Sequence, residues 1–168
     1  MNKKPLNLFV RSVQNEVVIE CRKNQYQKCL NEDLEFGERS EDNMKGVLEK
    51  HFQIDLQKTT KTHQFDFLSL YDKVWIELKT RKNKKSAYST TMLPYSKVEY
   101  GLQQIKDGWS VYFVFAFEDC LCYYKLEAVN KDWVARGGRR DRGRPEFKQY
   151  YYIPITELQC IEPPPHTS

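Results

Sequence analysis

"FDFLSLYDKVWIELKT", residues 65–80, is the stretch that decides the fold. Two runs of aromatic and branched residues flank Tyr71-Asp72, the pattern of a β-hairpin. A two-residue turn at Tyr71-Asp72 sets residue 70 opposite 73, and counting outward sets Asp66 opposite Glu77. Side chains alternate along a strand, so Glu77 and Lys79 share a face, and Asp66 joins them on it. Directly opposed side chains have Cβ atoms about 4.5–5.5 Å apart, where like charges repel. Two facing carboxylates therefore need a cation, and a hard divalent ion with oxygen ligands, such as Mg²⁺, is the natural one. Taken alone, the Glu77/Lys79 pair also reads as an ion pair across the pleat of an exposed strand.

Upstream, "SEDNMKGVLEKHF" (40–52) has helical spacing, with Met44, Val47, Leu48 and Phe52 on one face and Ser40 as N-cap. Glu41, three residues before Met44 and seven before Leu48, falls on that apolar stripe, from which a carboxylate reaches the sheet. Glu38, one turn earlier, is a weaker candidate, and Glu49 points elsewhere. Downstream, residues 80–94 read as a polar loop. "YSKVEYGLQQIKDG" (95–108) reads as a second helix, with a Ser96/Glu99 capping box, an apolar face of Val98, Leu102 and Ile105, and a stop at Gly108. "WSVYFVFAFED" (109–119) and "CLCYYKLE" (120–127) read as two strands turning at Glu118-Asp119, and "QYYYIPI" (149–155) as a further strand. Alternation buries some of Tyr150, Tyr151 and Tyr152, so core packing is favoured over base stacking for them. The order αββαββ plus one strand specifies an α/β domain on a mixed central sheet flanked by helices.

Asp66, ten intervening residues and then Glu77-Leu78-Lys79 resembles the D…ExK core of the PD-(D/E)xK nuclease superfamily, the restriction-endonuclease-like fold. "GERSEDNMKGVLEKHF" (37–52) resembles the first helix of that fold, where a Gly comes four residues before a Glu and apolar positions follow. The likeness covers roughly residues 37–127. Phe65 stands where the superfamily's name has Pro, a position that varies within it. The "GGRRDRGRPEFKQYYYIPI" tract (137–155) is similar to small proteins of large DNA viruses. The resemblance implies a restriction-endonuclease-like core and a Mg²⁺-dependent nuclease, with Mn²⁺ as a substitute. Asp66, Glu77 and the carbonyl of Leu78 would hold the metal, with Glu41 through water or a second ion. Lys79 would orient the attacking water. In-line attack would leave 3′-hydroxyl and 5′-phosphate ends.

Charge points to a polyanionic partner, and the resemblance implies that it is DNA. The net charge is only +4, but it is unevenly spread. Residues 31–42 hold six acids against Arg39, whereas 79–85 hold five basic residues and no acid. Residues 134–148 hold six basic residues against Asp141 and Glu146. Arg81, Lys82, Lys84 and Lys85 leave the strand beside the site and would contact flanking phosphates, as would Lys97. Tyr88, Thr90 and Thr91 add hydroxyl donors there. Arg136, Arg139, Arg140, Arg142 and Arg144 form a Gly/Arg loop (136–144) whose forks suit phosphate. The bland reading of each basic tract is a solvated loop.

Residues 1–36 form an N-terminal extension in which "NEVVIECRK" is strand-like, 37–160 the nuclease-like domain, and 161–168 a tail. The five cysteines are odd in number and include no CxxC, so they read as reduced thiols in a reducing intracellular compartment, cytoplasm or nucleus. No run of 18 apolar residues is present, which argues for a soluble protein without a membrane partner. A homodimer is among the assemblies left open. Two readings compete with the enzyme: a catalytically inactive nucleic-acid-binding or assembly protein that keeps the fold, and a module whose Gly/Arg loop binds an acidic protein. Inactive relatives typically lose the Asp or the Lys, and both are present here.

Overall fold

The computed structural model describes residues 41–138 and 148–161. The extension at 1–36, Glu38, Ser40, Arg139, Arg140, Arg142, Arg144 and the tail beyond Ile161 lie outside the described residues.

The two expected helices form. Helix α1 covers 41–52 and α2 runs Tyr95–Lys106. The strands are β1 (Gln57–Lys58), β2 (Phe67–Ser69), β3 (Val74–Thr80), β4 (Thr90–Pro94), β5 (Ser110–Ala116), β6 (Leu121–Leu126), β7 (Val134–Gly137), β8 (Lys148–Pro154) and β9 (Gln159–Ile161). Among the described residues they make two sheets, one ordered β1-β2-β3-β5-β6-β9 and one β4-β8-β7. The larger sheet is mixed: β3 and β5 are parallel, connected through α2, and the other neighbours are antiparallel. The core order α1-β2-β3-α2-β5-β6 is the expected αββαββ, compatible with a restriction-endonuclease-like core.

Each face of the large sheet buries a different apolar set, because side chains alternate. Phe67, Val74, Ile76, Leu78 and Val114 pack with Leu48 and Met44 of α1. Trp75, Phe113, Phe115 and Cys122 pack with Val98 and Leu102 of α2 and with Tyr151 and Ile153 of β8. Tyr150 and Tyr151 are buried, as core packing requires. Helix α2 lies close on the sheet at Gly101, where an added Cβ would sit 2.8 Å from Leu126 Cδ2 and 3.2 Å from Val111 Cγ1. Gly108, at φ +84°, ends the last turn of that helix with a backbone shape that suits glycine.

Three local expectations are corrected. The segment 80–94 is not all loop, since Thr90–Pro94 is a strand of the smaller sheet that pairs with β8. Its alternation of half-buried and buried residues is short and ends in Pro94, which hides it in sequence. Because that strand runs straight into α2, Pro94 is the N-cap and no side chain caps the helix, so the Ser96/Glu99 box does not form. Strand β2 is also shorter than its apolar run, and the chain turns before Asp66.

Candidate active site

The hairpin register is the expected one. Phe67 pairs with Ile76, Leu68 with Trp75 and Ser69 with Val74, although the connection spans residues 70–73 rather than two. The ladder ends at Phe67–Ile76; beyond it the Asp66 backbone N–H donates to the Ile76 carbonyl at 3.1 Å, and the Asp66 carboxyl lies near enough to Glu77 to feel its charge. Asp66 thus lies just past the end of β2, where, among the described residues, β3 continues without a strand partner on that side. There the Leu78 N–H donates to Asp66 Oδ2 at 2.7 Å. A strand residue presents its N–H and C=O to the same edge, so the Leu78 carbonyl faces the Asp66 side as well.

Glu77 is fully buried in the middle of β3. Its two oxygens meet two ammonium groups: Lys79 pairs with Oε1, and Lys97 of α2 lies 3.1 Å from Oε2. Lys79 meets Oε1 as an ion pair, and that oxygen accepts no hydrogen bond from the described residues. Lys97 Nζ also donates to the Gln64 carbonyl, which ties the turn before Asp66 to α2. Burial, and then the negative charge of Glu77, push the Asp66 carboxyl up to about 7, against the opposing pull of Lys79 and of the Leu78 N–H. Glu41 contributes to the same upward push, so its charge is felt at Asp66. Its own carboxylate is 3.1 Å from Lys58 of β1. Glu49, expected to point away, accepts from Lys45 and from the Leu56 N–H instead.

Two crowded carboxylates, of which Asp66 has a raised proton affinity, an oxygen without a hydrogen bond and a backbone carbonyl at the same strand edge are a donor set of hard oxygens. The residues present therefore fit a divalent ion. Asp66, Glu77, Lys79 and Lys97 converge; Glu41 reaches the group through its charge. The link between Lys97 and Glu77 was invisible in sequence, which placed Lys97 among phosphate contacts. The only sequence signal for it is position: Lys97 falls in the first turn of a helix with Val98 on the inner face.

The basic residues divide. Arg81 is taken up by the protein: its Nε donates to Thr91 Oγ1 at 3.3 Å, its Nη2 donates to the Met92 carbonyl, and the guanidinium lies 5.8 Å from the centre of the Phe115 ring. Thr91 is buried. Lys82 and Lys84 are exposed, as is Tyr88. Lys85 reaches Cys160, at 3.3 Å between Nζ and Sγ. Arg136 is exposed on β7, opposite Gln149. None of the described helices is long and apolar enough to cross a membrane.

Comparison with curated proteins finds no match. The family described as "Phage putative PDDEXK endonuclease" matches residues 33–161, which span α1, every described strand and the whole of the candidate site. The match carries a viral link, to phages. Sequence motif, strand register and family match agree, and the chain belongs to this phage endonuclease family of the PD-(D/E)xK nuclease superfamily.

Proposed function

We propose that the protein is a Mg²⁺-dependent endonuclease that hydrolyses phosphodiester bonds of DNA, with branched or otherwise unusual DNA structures as substrates. The observation that carries this reading is the meeting of Asp66, Glu77 and Lys79 on β3 just beyond the end of β2. Asp66, Glu77 and the Leu78 carbonyl would hold the divalent ion, with Glu41 reaching it through water or a second ion. When bound, that ion lowers the pKa of coordinated water and stabilises charge on phosphoryl oxygens. Lys79 would orient the attacking water and offset the negative charge that develops on the phosphate. Lys97 holds the Glu77 carboxylate from the helix side, fixing its orientation. Lys82 and Lys84 would hold phosphates flanking the scissile one, and the Gly/Arg loop would extend the contact.

The test is cleavage of labelled duplex, single-stranded and four-way-junction DNA in Mg²⁺ or Mn²⁺, with Ca²⁺ as control. The wild type should cut, and Glu77→Ala and Lys79→Ala should bind without cutting. A wild type that binds but never cuts supports the inactive nucleic-acid-binding reading instead.

A further inference from the structure

Outside the candidate active site, the fold assembles a second group of metal-binding side chains. Cys120 immediately precedes β6 and Cys122 is its second residue, and their sulfurs meet on one side of the sheet. Cys160 of β9 is the ladder partner of Cys122. The three sulfurs all lie within 4.8 Å of one another, with Cys120 and Cys122 at 3.6 Å and Cys122 and Cys160 at 3.0 Å. The spacing of these residues in sequence shows no metal motif, because the third thiol arrives through strand pairing 38 residues later.

We propose that Cys120, Cys122 and Cys160 bind one thiophilic divalent ion, Zn²⁺ in the first place, with water in the fourth position. Tetrahedral thiolate coordination at about 2.3 Å sets sulfurs about 3.8 Å apart, close to the Cys120–Cys122 separation and within a small movement of the others. A disulfide would need about 2.05 Å, would use only two of the three thiols and leaves the third unexplained. Three thiolates around a dication carry one excess negative charge, and the Lys85 ammonium, 3.3 Å from Cys160 Sγ, offsets it. Lys85 is itself held in place, since its backbone N–H donates to Asp119 Oδ1 at 2.8 Å. Exposed Cys160 gives the ion a way in, while Cys122 is buried. Binding would release the thiol protons to solvent.

The site is also coupled to the sheet face of the proposed active site. Lys79 pairs with Phe115, Phe115 with Cys122 and Cys122 with Cys160, one lateral row on one face. The loop that leaves Lys79 crosses above this row, with Arg81 over Phe115 and Lys85 at Cys160. The ion would therefore anchor the far end of the basic loop.

The full chain, purified in a reductant that does not bind metal, is loaded with Zn²⁺ and desalted, and its zinc is measured by mass spectrometry. About one Zn²⁺ per chain is expected, and Co²⁺ in its place should give the thiolate-to-cobalt charge-transfer absorption. Cys120→Ser and Cys160→Ser, neither fully buried, should each lower zinc affinity at least about tenfold with an unchanged circular dichroism spectrum. Cys21→Ser/Cys29→Ser should retain the zinc. Wild-type protein that retains none, zinc that survives Cys160→Ser, zinc lost from Cys21→Ser/Cys29→Ser, or a Cys122–Cys160 disulfide that forms equally with and without Zn²⁺ would each overturn the assignment. None of these readouts depends on nuclease activity.

Discussion

Lys97 Nζ stands 3.1 Å from Glu77 Oε2, joining the first turn of α2 to the buried centre of β3. A fully buried carboxylate is costly unless its charge is met, and here two lysines meet it, one on each oxygen. Removing one lysine leaves an under-compensated charge in the sheet interior. Lys97→Ala should therefore destabilise the protein by about 1–3 kcal/mol in urea unfolding. Lys97→Ala in a Glu77→Gln background should cost much less, because the charge that needed Lys97 is gone. Equal costs in both backgrounds would mean that Lys97 stabilises through its bond to Gln64 alone.

Asp66 gives the metal-free protein a pH dependence of definite sign. Its carboxyl is raised from 3.8 to about 7, so the folded state holds a proton that the unfolded state releases. Between about pH 4 and pH 7 the native state binds more protons, so stability falls as pH rises and then levels off. The contribution is fully present below the unfolded value and lost above the folded one. Asp66→Asn should accordingly be more stable than wild type at pH 8, by roughly 1–3 kcal/mol, and the gap should close toward pH 4. Adding Mg²⁺ at pH 8 should raise the wild-type Tm and leave that of Asp66→Asn nearly unmoved. A wild type whose stability is flat from pH 4 to pH 8 would remove the raised carboxyl.

The helix-to-sheet contact that carries Lys97 to Glu77 depends on Gly101. An added Cβ would press on Leu126 Cδ2 and Val111 Cγ1. Alanine is otherwise the better helix former, so a simple propensity effect would stabilise. Overpacking should win: Gly101→Ala is expected to cost about 1–3 kcal/mol in chemical denaturation. Gly46, with nothing within 4 Å of its Cβ position, is the control, and Gly46→Ala should be neutral or mildly stabilising.

The central hairpin and both helices were legible because each carries a strong local period, and a two-fold alternation fixes which charges share a face. The pairing of residues 67–69 with 74–76 could be read from residues 65–80 alone, because the four-residue connection keeps the register of a two-residue one, and it leaves Asp66 and Glu77 at the same end of the hairpin. What stayed hidden came from contacts between elements distant in sequence. Strand β4 exists because β8, some sixty residues later, covers it. The Lys97–Glu77 pair needs the packing of α2 on β3, and the cysteine cluster needs β9 beside β6. Neither composition nor period reports such contacts, whereas a basic tract such as 79–85 looks uniform in sequence and is split by the fold.

That split is measurable. Arg81 spends its guanidinium on Thr91, the Met92 carbonyl and the Phe115 ring, bridging β4 to the large sheet, whereas Lys84 is exposed. Arg81→Ala should lose hydrogen bonds made to a charged donor, together with packing on Phe115, and cost about 1.5–3 kcal/mol of stability. Lys84→Ala should leave stability within about 0.5 kcal/mol of wild type. DNA binding should show the reverse order. If Lys84 contacts a phosphate, its removal lowers the slope of log affinity against log salt by about one while affinity falls alike for all sequences. Fluorescence anisotropy at several salt concentrations reads that slope, and thermal unfolding reads stability on the same samples. A Lys84→Ala slope equal to wild type would take this lysine out of the interface, and an Arg81→Ala protein of normal stability would free Arg81 to be a phosphate contact.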